Sequence, residues 1–103
     1  MPFKRTLNLR AVRSRQYIFL LYVTGSTPRS LKAIHNFKKF CEEHLPDDYD
    51  LQIVDIYKNP EAAREAQIIA APTLIKKLPA PLRRFIGDLS NTQRLLNSLG
   101  VYR

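Results

Sequence analysis

The segment Tyr17-Ile18-Phe19-Leu20-Leu21-Tyr22-Val23, followed at once by Thr24-Gly25-Ser26-Thr27-Pro28, constrains this chain more than any other feature. Seven consecutive apolar residues rich in β-branched and aromatic side chains are expected of a strand covered on both faces, and so of a central strand. The run is too short to cross a membrane, which takes roughly 20 residues. After it, Thr27 suits a helix N-cap and Pro28 the first helical position. Leu31, Ile34, Phe37, Phe40 and Cys41 then recur at helical spacing until Pro46. Extended character resumes over Tyr49 to Ile56, where Leu51 and Ile53 alternate with Gln52 and Val54. Strand, helix and strand in this order predict a right-handed parallel crossover.

The second half carries weaker signals. Asn59-Pro60-Glu61 reads as a capped helix start, with Ala62 to Gln67 continuing it. Ala71 to Ile75 and Leu82 to Ile86 read as short strands, and Gly87-Asp88 marks a turn. Ser90 to Gln93 has capping-box spacing, Leu95, Leu96 and Leu99 give an apolar stripe, and Gly100 suits the helix stop. Ile68-Ile69, Leu74-Ile75 and Leu95-Leu96 are short runs that periodicity does not assign to a unique pairing. The resulting β-α-β-α-β-β-α order is that of an α/β, thioredoxin-like domain. Pro72 falls where that fold commonly places a cis-proline facing its active turn.

A thioredoxin-type enzyme needs a cysteine whose pKa is lowered at a helix N-terminus and a second one to resolve the mixed disulfide. The corresponding turn here is Gly25-Ser26-Thr27-Pro28, without cysteine. The single cysteine, Cys41, lies late on the helix's apolar stripe, where a core thiol is expected. Cys41 and His44 supply two metal ligands where structural zinc wants four. His35 shows no nucleophile at triad spacing, and Glu42-Glu43 and Asp47-Asp48 read as solvated surface. The expectation is a protein that is not an enzyme, with no cofactor and no metal. A lone cysteine also excludes an internal disulfide and points to the cytoplasm.

Length allows one domain. Residues 17–103 are assigned to it, and the Arg-rich residues 1–16 to a basic N-terminal extension rather than a cleaved leader. The formal net charge is +8, and no carboxylate precedes Glu42, while nine Lys and Arg do. Such a half attracts acidic protein surfaces, anionic lipid or nucleic acid. A small basic RNA-binding protein is therefore the alternative function. Against it, Tyr17, Phe19 and Tyr22 lie in the strand expected to be buried, so nucleic acid is disfavoured. Further candidates for binding anions are the GSTPRS turn, where simple capping competes, and the Lys76-Lys77 and Arg83-Arg84 pairs around Pro79-Ala80-Pro81.

Three separated blocks, LYVTGSTPRS, VDIYKNPEAA and APTLIKKLPAPLRRFIGDLS, occur in order. Together they resemble the KaiB family of circadian clock proteins from Tyr17 to roughly Leu99. The resemblance implies a regulator that binds the ring of a KaiC-type ATPase and changes which kinase-related partners the ring holds, in a clock or a clock-derived stress response. KaiB-like modules also precede histidine kinases, which makes such a kinase a second partner class. It implies two arrangements of one sequence: a thioredoxin-like monomer, and a ground state with a rearranged C-terminal half that forms homo-oligomers, dimer or tetramer. Lys32 and Lys76 match basic positions that resemble partner contacts, and Arg83 and Arg84 are grouped with them on an exposed sheet edge. Gln52 and Gln67 stand where clock members often carry lysine. X-Pro bonds exchange isomers over tens to hundreds of seconds, so Pro72, Pro79 and Pro81 are the expected fold-switch positions, with Gly87 and Asp88.

Overall fold

β1 (Tyr17–Val23) lies inside a four-stranded sheet of order β2-β1-β3-β4. The computed structural model describes residues 17–100; the basic extension 1–16 lies outside them. β1 runs parallel to β2 (Tyr49–Asp55), in register from Tyr17 opposite Tyr49 to Val23 opposite Asp55. On its other side it runs antiparallel to β3 (Thr73–Leu78), with Leu21 opposite Leu74, and β3 pairs antiparallel with β4 (Arg83–Ile86). Central placement of β1 thus agrees with its apolar run. Burial on both faces holds for Leu21-Tyr22-Val23, whereas Ile18 and Leu20 are half-buried. The thioredoxin-like arrangement is the one adopted.

α1 (Pro28–His44) links the two parallel strands. Thr27 caps it, its hydroxyl accepting from the Ser30 amide at 3.3 Å. The buried face is Ser30, Ala33, Phe37, Phe40 and Cys41, so the expected place of Leu31 on the apolar stripe is corrected: that side chain is 52% exposed. The Ser30 hydroxyl accepts from the Thr24 amide at 3.1 Å, which turns the Ser30 side of the first helical turn inward. Phe37 then meets Phe19 edge-on, with ring centroids 4.7 Å apart, a favoured aromatic geometry. At the other end of α1 the Tyr49 hydroxyl donates to Glu42 at 2.6 Å. That bond, with partial burial and the carboxylate's charge, pushes the phenol up to about 12.

The second half departs from the sequence reading at its boundaries. α2 (Pro60–Glu65) stops two residues early, because Gln67 adopts a left-handed φ of 57°. Asn59 holds the cap position without a side-chain cap bond. β3 begins at Thr73 rather than Ala71, consistent with Pro72 having no N–H for the ladder. α3 (Thr92–Leu99) is capped by Asn91, whose side chain accepts from the Arg94 amide at 3.0 Å, and not by Ser90. Gly100, at φ 72°, closes it as expected. One core joins both halves: Phe19, Leu21 and Val23 from β1, Phe37 and Phe40 from α1, Leu74 and Phe85 from β3 and β4, and Leu95 and Leu99 from α3.

Candidate partner-binding surface

The turn between β1 and α1 is closed by its own bonds. Asp55 accepts the Gly25 amide at 3.2 Å and the Tyr57 amide at 2.9 Å, while Thr27 and Ser30 take up the helix-start groups. Gly25 has φ 56°, a conformation glycine adopts without the Cβ penalty. The amides of Thr24, Gly25 and Ser30 are therefore committed to capping and turn formation, which is the reading that competes with anion binding there. Cys41 is fully buried in the core, and burial, helped by the charge of Glu42, raises its thiol pKa far above the ordinary value. A thiol held protonated is a poor nucleophile.

The four basic residues singled out in the sequence do not form one patch. Lys32 is exposed on α1, as are Arg29, His35, Lys38 and Lys39, and its ammonium lies 3.8 Å from Asp88. Lys76, expected at the surface, is instead only 3% exposed. The register of β3 explains this: Lys76 shares a face with Leu74, which belongs to the core, and stands opposite Phe19 and Arg83. Arg83 is exposed. Arg84 is exposed as well, and its guanidinium donates to the carbonyls of Ala66 and Gln67 at the end of α2. Gln52 and Gln67 are both exposed.

Pro72 is fully buried, while Pro79 and Pro81 are exposed; the peptide bonds preceding all three are cis. Gly87, at φ 127°, donates its amide to the Pro72 carbonyl at 3.0 Å. Asp88 is the hub of the following loop. Its carbonyl accepts from the Asn36 side chain at 2.8 Å, and its carboxylate accepts from the Ser90 amide at 3.1 Å. The Ser90 hydrogen bonds, chiefly, and then Lys32 and Arg29 hold the Asp88 carboxyl below its usual pKa. A cleft of about 230 Å³ beside this loop brings Arg29 of α1 together with Arg94 of α3. Sequence reasoning did not connect these two arginines, because only tertiary packing joins the first turns of helices so far apart in the chain.

A sequence profile described as the KaiB domain matches residues 20–101. The chain belongs to the KaiB family. It is similar to the circadian clock protein KaiB3 of Synechocystis, with 45% identity over 84 residues, 82% of each chain. Among solved structures it resembles the N-terminal domain of Synechococcus elongatus SasA, with a TM-score of 0.68 at 20% identity, covering 82% of this chain and 80% of that one. Mitochondrial thioredoxin 3 of Saccharomyces cerevisiae gives a TM-score of 0.66 at 16% identity, covering 94% and 87%. At these identities the two structures speak for the fold, which is the thioredoxin-like form of the two arrangements that the KaiB resemblance implies. Phe19 and Tyr22 are buried, so they are not presented for stacking on RNA bases, and no helix among the described residues is long and apolar enough to cross a membrane.

Proposed function

We propose that this protein is a non-enzymatic circadian-clock regulator of the KaiB type that docks on the ring of a KaiC-type ATPase in the cytoplasm. Membership of the KaiB family is the observation that carries the reading. The cysteine-free turn and the buried Cys41 agree with a binding role. The exposed basic residues of α1 between Arg29 and Lys39 supply the charge complementarity that accelerates and orients such an encounter. Lys32 and Arg83 are the exposed contacts, with Arg84 supporting the surface through its hold on α2. Lys76 contributes from beneath. Homo-oligomer formation, and competition on the ring with a histidine kinase module of similar fold, belong to the same proposal, as does a switching role for Pro72, Pro79, Pro81, Gly87 and Asp88.

Mixing the full chain with the KaiC-type ATPase of the same cell and measuring the mass of the product tests the reading. A co-migrating complex after hours of incubation is expected. Lys32→Glu should weaken it about tenfold or more, equivalent to 1.4 kcal/mol. Absence of any complex with the wild-type chain would reject the proposal.

A further inference from the structure

The C-terminal end of α3 faces a second cleft, of about 310 Å³, bordered by Tyr17, Pro79, Pro81, Arg83 and Asn97 together with Lys76. Lys76 is the unusual member. The residue is buried, yet it lines this cleft. Among the described residues no ion pair or hydrogen bond engages its ammonium. No carboxylate among the described residues lines the cleft. Arg83, its register partner across β3 and β4, adds a second positive charge at close range. Burial, and then Arg83, lower the lysine's pKa.

An ammonium that opens only onto this cleft, beside a second cation and with no anionic partner among the described residues, is an arrangement that proteins normally compensate. The end of α3 offsets only part of it, since a helix C-terminus carries about half a negative charge. The charged side chains of the described residues that line the cleft, Lys76 and Arg83, are both positive. Charge matching then selects the ligand: a carboxylate would neutralise one cation, whereas a phosphate dianion neutralises both. Phosphate also matches the two donor types, a point-charge lysine and a forked arginine.

We propose that this cleft binds a phosphate dianion between Lys76 and Arg83, supplied either as free inorganic phosphate or as the phosphate of a mononucleotide. The proposal does not rest on docking to an ATPase ring, although Lys76 and Arg83 also belong to the surface proposed for it.

The full-length chain, isotope-labelled, is titrated with sodium phosphate at about pH 7.5, where the dianion predominates, against sodium chloride of equal ionic strength. Saturable amide shifts are expected at Lys76, Arg83 and residues 97–100, and Arg83→Gln should weaken binding about tenfold. Lys76→Met should abolish it. Arms with adenosine monophosphate and with adenosine separate the sources: tighter binding of the nucleotide than of phosphate, with adenosine silent, assigns the nucleotide, and equal binding assigns free phosphate. Shifts that follow ionic strength alone overturn the proposal, as do shifts centred on Arg29 and Arg94 or an Arg83→Gln variant that binds unchanged. Should Lys76→Met fail to fold, the wild-type shift map and Arg83→Gln still decide.

Discussion

The half of the chain that contains β1, α1 and β2 and the half that contains β3, β4 and α3 share a core but are held in different ways. In the first, a 17-residue helix lays Phe37 and Phe40 on the central strand, and Phe19, Phe37 and Cys41 are fully enclosed. In the second, the strands have six and four residues, and Leu78, Leu82 and Ile86 are more than half exposed. What ties it down besides Leu74, Phe85, Leu95 and Leu99 is a set of discrete polar contacts: Arg84 on the end of α2, Asn36 on Asp88, Gly87 on Pro72. Aromatic packing is shared among many atoms, whereas each polar tie depends on one or two bonds. The β1–α1 contact of the first half therefore resists local opening, whereas β4 and the loops around it in the second open locally at lower cost.

The strongest test of that contrast lies in the core. Phe37→Ala removes a ring packed against both Phe19 and Phe40 and should cost about 3–5 kcal/mol, enough to unfold much of a domain whose total stability is of the order of 5–15 kcal/mol. Leu95→Ala on α3 should cost less, about 2–3 kcal/mol. Urea unfolding of the two variants checks the order, and equal costs would show that the halves are equally load-sharing.

A smaller effect, confined to one half, is expected of Arg84→Ala. The guanidinium is exposed but spans from β4 to the carbonyls ending α2, so its loss should cost about 1 kcal/mol globally. Its signature is local. Amide exchange should speed up over residues 66–75 while the amides of β1 and the middle of α1 stay protected. Uniform acceleration across both halves would contradict separate modes of support.

The same contrast governs what the sequence disclosed. β1, its central position, the Thr27 cap and the parallel crossover partner were legible, because a long periodic pattern and local cap chemistry specify them without reference to distant residues. The Gly100 stop was legible for the same reason. Lys76 was misplaced to the surface, because which face of a short strand points inward is set by its partner's register, here Phe19 and Arg83, and not by its own composition. Leu31 was misassigned to the buried face because the helical period anchored on Phe37 falls at Ser30, seven residues earlier, and leaves Leu31 outside the stripe of Ser30, Ala33, Phe37, Phe40 and Cys41. The family blocks identified the family, and the order of the elements the thioredoxin-like fold. They could not disclose that Arg84 is spent on an internal tie, or that Arg29 and Arg94 share a cleft, since both follow from folding of the weaker half.

The finest distinction between the halves rests on Asp88, where the loop of the second half touches the helix of the first. The Ser90 hydrogen bonds and the nearby Lys32 and Arg29 lower its folded-state pKa below the unfolded value. The unfolded chain therefore binds more protons in the acid range, and the contribution of this carboxylate is present above the ordinary Asp pKa of about 3.9 and fades as pH falls through the lowered one. Asp88→Asn keeps an acceptor for the Ser90 amide but removes the charge. Its stability should consequently lie slightly below that of the wild type at neutral pH, with the difference vanishing as the solution is acidified. Exposure of the Lys32 pair, whose side chains are 65% and 32% exposed, keeps the effect small and sensitive to salt. If the difference between the two proteins stays constant from neutral to acid pH, the charge contributes nothing, and the loop is joined to α1 by the Asn36 bond to the Asp88 carbonyl alone.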